Sequence, residues 1–234
     1  MNKPAAVIVG VGDGLSAALA HALAPEYDLI LAARTVQKLD VLAQETGARC
    51  VAMDASDPGS MAALFDTLGS APRVAIYNPS ARVRGPLIDL NPEDVRRAVE
   101  VTAFGSFLMG QAAARQMLRN DLVDGKRGTI LFTGASAGVK GFPQSASFAM
   151  GKFAQRGLAQ SMARELHPQG IHVAWVNIDG GILNPARADK VNPVDNPDSK
   201  LDPNAIAAAY LGLINQHRSA WSEELSLRPW VERF

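Results

Sequence analysis

Short apolar runs alternate along this chain with longer segments in which apolar residues recur at helical spacing. The apolar runs predict strands at residues 5–9, 28–32, 49–53, 73–77, 128–133 and 171–177. The segments of helical period predict helices at residues 15–24, 36–46, 57–69, 92–120 and 147–167. Continuous apolar strands that alternate with helices are typical of a parallel sheet covered on both faces. The sequence therefore predicts a doubly wound α/β fold.

The last third of the chain continues this pattern and adds one long polar stretch. A helix is predicted at residues 204–217 and a last strand at residues 223–227, so residues 1–234 are interpreted as one domain. The stretch at residues 184–203 is rich in Pro and Asn, and loops of this length are often functional. We expect it to close over a substrate as a lid.

Charge and composition exclude several classes of function. Lys and Arg together number 23 and Asp and Glu also number 23, so no net charge attracts nucleic acid or an acidic membrane surface. Uncharged runs such as residues 101–114 are shorter than the roughly 18 apolar residues that a membrane span requires. Cys50 is the only cysteine, and no histidine or carboxylate cluster has metal-ligand spacing. We therefore expect a cytoplasmic protein with no nucleic-acid, membrane or metal partner.

A glycine-rich turn, G-V-G-D-G-L-S, runs from Gly10 to Ser16 between the first predicted strand and the first predicted helix. Residues without a Cβ let backbone N–H groups approach a diphosphate, and the start of the helix adds partial positive charge. A plain tight turn would also use glycine. The position between strand and helix favours a dinucleotide site, with cofactor contacts predicted at Gly10, Gly12, Gly14 and Leu15.

The residues after the second predicted strand bear on the choice of cofactor. A dinucleotide fold that selects NAD carries an acid here for the ribose hydroxyls, where this chain has Ala33. Arg34 can instead pair with the extra phosphate of NADP. Asp13 in the glycine-rich turn is an opposing feature, because it brings negative charge close to the phosphates. NADP is therefore predicted, and NAD stays open.

Together these features resemble the short-chain dehydrogenase/reductase family over nearly the whole chain. Gly10 and Gly14 match that family's first motif, T-G-x-x-x-G-x-G, while Ser16 replaces its last glycine. Asp54 stands where the family's acid holds the adenine amino group, and Asn78 matches one position of its N-N-A-G motif after the fourth strand. The resemblance implies a single-domain Rossmann-type doubly wound parallel sheet, with helices on both faces, that binds NAD(P).

The family's reaction motif is degenerate in this chain. In the family pattern Y-x-x-x-K, Lys152 matches the Lys, but Phe148 stands at the Tyr and Ala135 stands at the family's preceding Ser. Ser136 is adjacent, and Thr102 stands at the family's helical Asn. In the family the Tyr transfers the proton, the Ser polarises the carbonyl and the Asn supports a proton relay. Losing such acid–base assistance costs roughly 10²- to 10⁴-fold in rate.

The resemblance keeps the cofactor half of the site. Lys152 is expected to hydrogen-bond the ribose hydroxyls, and the turn with Gly180 and Ile182 is expected to face the nicotinamide. No histidine is convincing as a base, and we expect structural or surface roles for His21, His167, His172 and His217.

Four interpretations of function stay open. The protein is an oxidoreductase whose proton comes from Ser136, Ser147, Thr102 or a held water, or it is an enzyme that needs no such acid because hydride adds to a polarised C=C bond. Otherwise it is a non-catalytic dinucleotide-binding sensor or partner-binding protein, or it binds nothing. We favour hydride transfer between NADP(H) and a small carbonyl or alcohol, with the sensor or partner-binding protein as the alternative.

The resemblance also implies self-association into a homodimer or homotetramer. The helices predicted at residues 92–120 and 147–167 carry many small residues, and the family commonly associates through these two helices and its last strand. In the aromatic tail, residues 221–234, Trp230 and Phe234 are expected to pack on the fold or across such a subunit contact.

Overall fold

Seven parallel strands form the central sheet of the computed structural model, which describes residues 3–184 and 186–232. The described residues contain these seven strands and two short ones outside the central sheet. In chain order they are β1 (Ala5–Val9), β2 (Asp28–Ala33), β3 (Arg49–Ala52), β4 (Val74–Tyr77), β5 (Gly128–Thr133), β6 (Ile171–Ile178), β7 (Gly181–Ile182), β8 (Lys200–Leu201) and β9 (Glu224–Leu227). The sheet has the order β3-β2-β1-β4-β5-β6-β9. β7 and β8 form a separate short parallel pair. The structure confirms the predicted parallel sheet.

Helices cover both faces of this sheet. They are α1 (Leu15–Leu23), α2 (Asp40–Thr46), α3 (Pro58–Asp66), α4 (Pro92–Val99), α5 (Gly105–Met117), α6 (Ala146–Leu166) and α7 (Pro203–Ile214). One buried apolar cluster includes residues of α3, α5 and α6, and a second includes residues of α1, α2 and α7. Val7 and Val9 of β1 belong to the first cluster and Ala6 and Ile8 to the second, as alternation along a strand requires. The doubly wound Rossmann-type architecture is therefore confirmed.

No helix within the described ranges combines the length and the apolar character needed to cross a lipid bilayer.

A π-helical segment, Glu100–Phe104, divides the long helix predicted at residues 92–120 into α4 and α5. Buried Tyr77, at the end of β4, donates a hydrogen bond to the Val101 carbonyl oxygen inside this segment. At the start of α5, a Cβ on Gly105 would lie only 2.5 Å from a backbone carbonyl oxygen. The irregular turn therefore lies where the helix passes close to the end of a central strand, and such turns often occur at functional sites.

The segment predicted as a loop at residues 184–203 contains local structure. A 3-10 turn spans Ala188–Lys190, and Leu201 of β8 pairs with Ile182 of β7. Both ends of the segment are therefore joined by backbone pairing next to the sheet's carboxyl edge.

The C-terminal tail contacts this same segment. The indole N–H of Trp230 donates a 3.0 Å hydrogen bond to the Asp198 carboxylate, although the ring itself is largely exposed. Arg228 forms a 3.3 Å ion pair with Asp179, which follows β6. Phe234, the other aromatic residue predicted to pack, lies outside the described residues.

The sheet order places a crevice at one edge of the molecule. From β1 the chain proceeds outward to β2 and β3, and it then returns to β4 on the other side of β1. Ligands of doubly wound sheets bind beyond the carboxyl ends of the strands, where the order reverses in this way. The carboxyl ends of β1 and β4 are therefore the expected centre of a binding site.

Candidate functional site

A cleft of about 850 Å³ opens at the carboxyl ends of the central strands. It brings together most of the residues predicted for the site, which are Gly10, Gly12, Gly14, Leu15, Asn78, Ala135, Ser136, Phe148, Lys152, Gly180 and Ile182. Its described lining does not include Arg34, Asp54 or Thr102. The glycine-rich turn and the degenerate reaction motif therefore face one continuous space.

The glycine-rich turn has the geometry that a diphosphate requires. Gly10 has a φ of +82°, and a Cβ there would lie 2.5 Å from the Pro79 ring. A Cβ on Gly12 would meet no atom within 4 Å, so at this position the backbone borders open cleft. Helix α1 begins directly after Gly14, and its free N–H groups carry partial positive charge. The residues present fit the diphosphate of a dinucleotide.

Two polar side chains brace this turn from behind. The Ser16 hydroxyl is buried and donates a 3.1 Å hydrogen bond to the Gly10 carbonyl oxygen. The Asn78 amide donates to the Ser16 hydroxyl and, at 3.4 Å, to the same carbonyl oxygen. Ser16 therefore has a positioning role that the sequence comparison with a glycine motif did not reveal.

Arg34 and Asp54 lie at the ends of β2 and β3, and both are exposed. Asp54 accepts hydrogen bonds from the Ser56 backbone N–H at 2.9 Å and from its hydroxyl at 2.7 Å. These hydrogen bonds, and to a smaller extent the charge of Arg34, lower the pKa of Asp54. The roles predicted for both residues, toward adenosine and its phosphate, stay predictions.

Lys152 is buried in the cleft wall with only 2% of its surface exposed. Its Nζ donates hydrogen bonds to the Thr133 carbonyl oxygen at 2.5 Å and to the Gln155 side-chain oxygen at 3.2 Å. Burial lowers the pKa of Lys152 from 10.5 to about 7, because the charged ammonium is poorly solvated there. Nζ lies 6.0 Å from the centroid of the ring of Phe148, the residue that the sequence analysis matches to the tyrosine of the reaction motif.

A buried chain of hydrogen bonds connects this lysine to Thr102. The Gln155 amide donates to the Ser106 hydroxyl at 2.8 Å, and that hydroxyl donates to the Thr102 carbonyl oxygen at 2.7 Å. The Thr102 hydroxyl accepts the Ala81 N–H at 3.0 Å and is fully buried. Thr102 is therefore connected to Lys152 through Gln155 and Ser106 and lies outside the described cleft lining. Sequence reasoning missed Gln155 and Ser106. For Gln155 the available signal was a polar residue one helical turn after the lysine.

The serines near the reaction motif differ in their surroundings. Ser136 is half-buried and lines the cleft next to Ala135. Ser147 is fully buried, and its hydroxyl both donates to the Val83 carbonyl oxygen and accepts the Val83 N–H, at 3.1 and 3.0 Å. Only Ser136 of these two can therefore meet a ligand directly.

The turn after β6 is fixed on both sides. Gly180 has a φ of +151°, and a Cβ there would lie 2.9 Å from Leu201 and from Pro229. The neighbouring Asp179 is paired with Arg228. The turn that carries Gly180 and Ile182 is therefore held rigidly at the mouth of the cleft.

Arg82 is a cleft residue that sequence reasoning missed. Its guanidinium carbon lies 5.3 Å from the centroid of the Phe148 ring, and its Nη2 donates a hydrogen bond to the Ser145 hydroxyl. Partial desolvation and the nearby charge of Arg84 lower the pKa of Arg82. The available signal was a basic R-V-R sequence directly after the segment that resembles N-N-A-G.

The sequence predicts neither a histidine base nor a metal site in the cleft. None of the four histidines is among its described lining residues. His172 is buried against Trp221, with ring centroids 5.0 Å apart, and burial lowers its pKa to about 4. Across residues 3–184 and 186–232, no three His, Cys, Asp or Glu side chains are grouped to hold a metal ion.

Residues 4–193 match the family model described as short chain dehydrogenase. The chain belongs to this family. It is 30% identical over 174 residues to L-2,3-butanediol dehydrogenase of Corynebacterium glutamicum, covering 69% of this chain and 64% of that one. This chain thus spans just under two thirds of that relative's length. It is 23% identical to an uncharacterized oxidoreductase of Staphylococcus aureus strain USA300, over 98% of both chains.

Solved structures agree with this membership. A short-chain dehydrogenase from Rhodopseudomonas palustris has 32% sequence identity and a TM-score of 0.80, covering 97% of this chain and 99% of that one. A metagenomic short-chain oxidoreductase in complex with NADP has 24% identity and a TM-score of 0.80, covering 99% of both chains. At that lower identity the second likeness concerns the fold alone.

The burial of Lys152 predicts a dependence of stability on pH. Between pH 7 and 10.5 the unfolded chain binds a proton at this residue that the folded protein does not, so the free energy of unfolding rises with pH in this range. The rise due to Lys152 is on the order of 3 kcal/mol. Urea unfolding at pH 7 and pH 10 should show this component in the wild type and lose it in Lys152→Met.

The matched control is Lys38→Met, which removes an exposed lysine. We expect it to keep the wild-type pH dependence. If the free energy of unfolding depended on pH in the same way in the wild type and in Lys152→Met, this would contradict a buried Lys152 amine with a pKa near 7.

Proposed function

We propose that this protein is an oxidoreductase that transfers hydride between NADP(H) and a small carbonyl or alcohol. The observation that carries the proposal is the bare backbone of the glycine-rich turn, at the start of α1, in the same cleft as Lys152. Membership of the short-chain dehydrogenase family supports it. The degenerate reaction motif limits the proposal to chemistry that proceeds without a phenol.

The dinucleotide supplies the hydride when it is bound. The protein groups proposed to hold it are Gly10, Gly12, Gly14, Leu15, Asn78, Lys152, Gly180 and Ile182, with Asp54 toward the adenine and Arg34 toward the 2′-phosphate. Arg34 favours NADP over NAD because a guanidinium pairs well with a phosphate. NAD stays the alternative cofactor.

The proton is proposed to come from Nζ of Lys152, with the Ser136 hydroxyl orienting the carbonyl. An ammonium group has three N–H donors, and two of those on Lys152 are used by Thr133 and Gln155. The third is left for a ligand in the cleft. A pKa near 7 suits a general acid at neutral pH. Ser147 and Thr102 are less suited, because both are fully buried behind other groups.

A non-catalytic dinucleotide-binding sensor is the second candidate function. The observation that favours it is the Phe148 ring, which has no exchangeable proton at the position of the family's phenol. Such a protein would keep the glycine-rich turn and bind the cofactor without turnover. Binding and turnover are therefore tested separately.

Fluorescence titration with NADPH and NADH tests the binding half. We expect NADPH to bind more tightly, and Arg34→Ala to remove most of that preference. Gly12→Val should weaken binding at least roughly tenfold, because its side chain enters the open cleft. Gly69→Val, at another glycine with no atom near its Cβ, is the matched control and should bind normally. If neither dinucleotide bound with a dissociation constant below about 1 mM, both candidate functions would be wrong.

Restoring the family's side chains tests the catalytic half. The double variant Phe148→Tyr, Ala135→Ser should reduce a panel of small carbonyls faster than the wild type, on the order of 10²-fold. Phe142→Tyr, which adds a hydroxyl elsewhere in the same cleft, is the control and should give no gain. If the double variant binds NADPH but reduces nothing, the sensor is favoured over the enzyme.

The proposed assembly is a homodimer or homotetramer through α5 and α6. Phe104 and Phe107, near the start of α5, stack with ring centroids 6.2 Å apart and are partly exposed, as are Met150 and Phe153 on α6.

Sedimentation at micromolar concentration should give a dimer or tetramer, and the double variant Phe107→Glu, Phe153→Glu should shift the equilibrium toward the monomer. Val41→Glu, at an exposed residue outside these helices, is the control. A wild-type monomer would contradict the assembly.

A further inference from the structure

An arginine stands beside the aromatic ring that replaces the family's tyrosine. Arg82 lines the cleft, and its guanidinium carbon is 5.3 Å from the centroid of the Phe148 ring. Its Nη2 donates to the hydroxyl of Ser145, which is 1% exposed and immediately precedes α6. Two groups at the start of α6 therefore fix the side chain, one through a hydrogen bond and one through a cation–π contact.

The backbone around Arg82 is also tied to α6. Both backbone groups of Val83 bond to the Ser147 hydroxyl, and the Gly85 N–H donates to the Gln144 carbonyl oxygen at 3.4 Å. Gln144 has a φ of +55°, a left-handed conformation that costs free energy for a residue other than glycine. Arg82 is thus held in a preorganised position rather than on a free loop.

The charges around Arg82 leave it open to an anion. Three carboxylates line the cleft, those of Asp13, Asp179 and Glu232, and Asp179 is already paired with Arg228. Among the described residues, no carboxylate lies within 4.0 Å of the Arg82 guanidinium. The like charge of Arg84 contributes to lowering its pKa. A guanidinium has five N–H donors, and the hydroxyl of Ser145 takes one.

We propose that Arg82 binds a carboxylate of the substrate, which makes the substrate class small oxo acids and the corresponding hydroxy acids. This proposal rests on the oxidoreductase function proposed above and assigns its substrate class. The planar fork of a guanidinium matches a carboxylate through two parallel hydrogen bonds. The guanidinium lies beside Phe148, which stands at the position of the family's reactive tyrosine. We therefore expect only a few bonds between the carboxylate of the substrate and its reacting carbonyl group. Arg82 binds and orients, and it transfers no proton.

Calorimetric titration of the NADP⁺-loaded protein tests this assignment without turnover, since an oxo acid cannot be reduced by the oxidised cofactor. The probes are 2-oxobutanoate and 3-oxobutanoate, each compared with its methyl ester, and dihydroxyacetone phosphate as a phosphate monoester. We expect at least one acid to bind wild type ten or more times more tightly than its ester. Arg82→Gln should remove that preference, and Arg82→Lys should keep part of it.

Arg84→Gln is the matched control, because Arg84 is an exposed neighbouring arginine outside the described cleft lining, and it should keep the wild-type preference. NADP⁺ affinity should be the same in all four proteins, which separates a lost substrate contact from a lost fold.

Three results would overturn the assignment. In the first, the wild type binds each acid and its ester equally, or binds neither. In the second, the Arg82→Gln variant keeps the preference for the acid over the ester. In the third, the phosphate monoester binds more tightly than either acid, and this binding depends on Arg82. If wild type does not bind NADP⁺, the proposed function itself is wrong. The acid and ester are then compared on the free protein, where an Arg82-dependent preference supports the anion site and its absence overturns it.

Discussion

The close packing of the first glycine against the end of β4 is the constraint on which the cleft depends. Gly10 adopts a left-handed conformation with the Pro79 ring where its side chain would be, and Ser16 and Asn78 hydrogen-bond its carbonyl oxygen. This packing connects the ends of β1 and β4, the two strands between which the sheet order reverses. The glycine-rich turn is therefore part of the wall of the crevice at that point. It leaves Gly12 bordering open space at the start of α1. The proposed diphosphate site therefore consists of backbone that the fold already holds in place.

The second half of the site is organised by a buried amine. Lys152 extends from α6 to the end of β5, and Gln155 and Ser106 connect it to the irregular turn before α5. Burial of an amine without an acidic partner favours its neutral form, which gives this chain a titrating group near neutral pH although the phenol is missing. The guanidinium of Arg82 also lies beside the Phe148 ring, with its central carbon 5.3 Å from the ring centroid. Phe148 thus has an arginine and a buried lysine beside its ring.

Much of the fold was predictable from the sequence, because continuous apolar strands and helical spacing are local properties of the chain. The π-helical segment Glu100–Phe104 was not predicted, and the residue that hydrogen-bonds its backbone, Tyr77, lies on a strand distant in sequence. The pairing of β7 with β8 within a polar stretch was not predicted for the same reason. In the site, the motif positions located the cleft residues, but Arg82 and Gln155 stood outside every motif. The sequence offered a signal for each of them, but it did not show which side chains they meet across elements, and their importance comes from those contacts.

The central claim is that a dinucleotide rests its diphosphate on the turn from Gly10 to Leu15 while a benzene ring, rather than a phenol, lies beside Lys152. A crystal structure of the complex with NADP⁺ tests it most directly. The account predicts density for the diphosphate against those backbone N–H groups and the nicotinamide near Gly180, with no tyrosine hydroxyl within hydrogen-bond reach of the lysine. A nucleotide bound elsewhere, or a tyrosine hydroxyl next to the Lys152 amine, would contradict it.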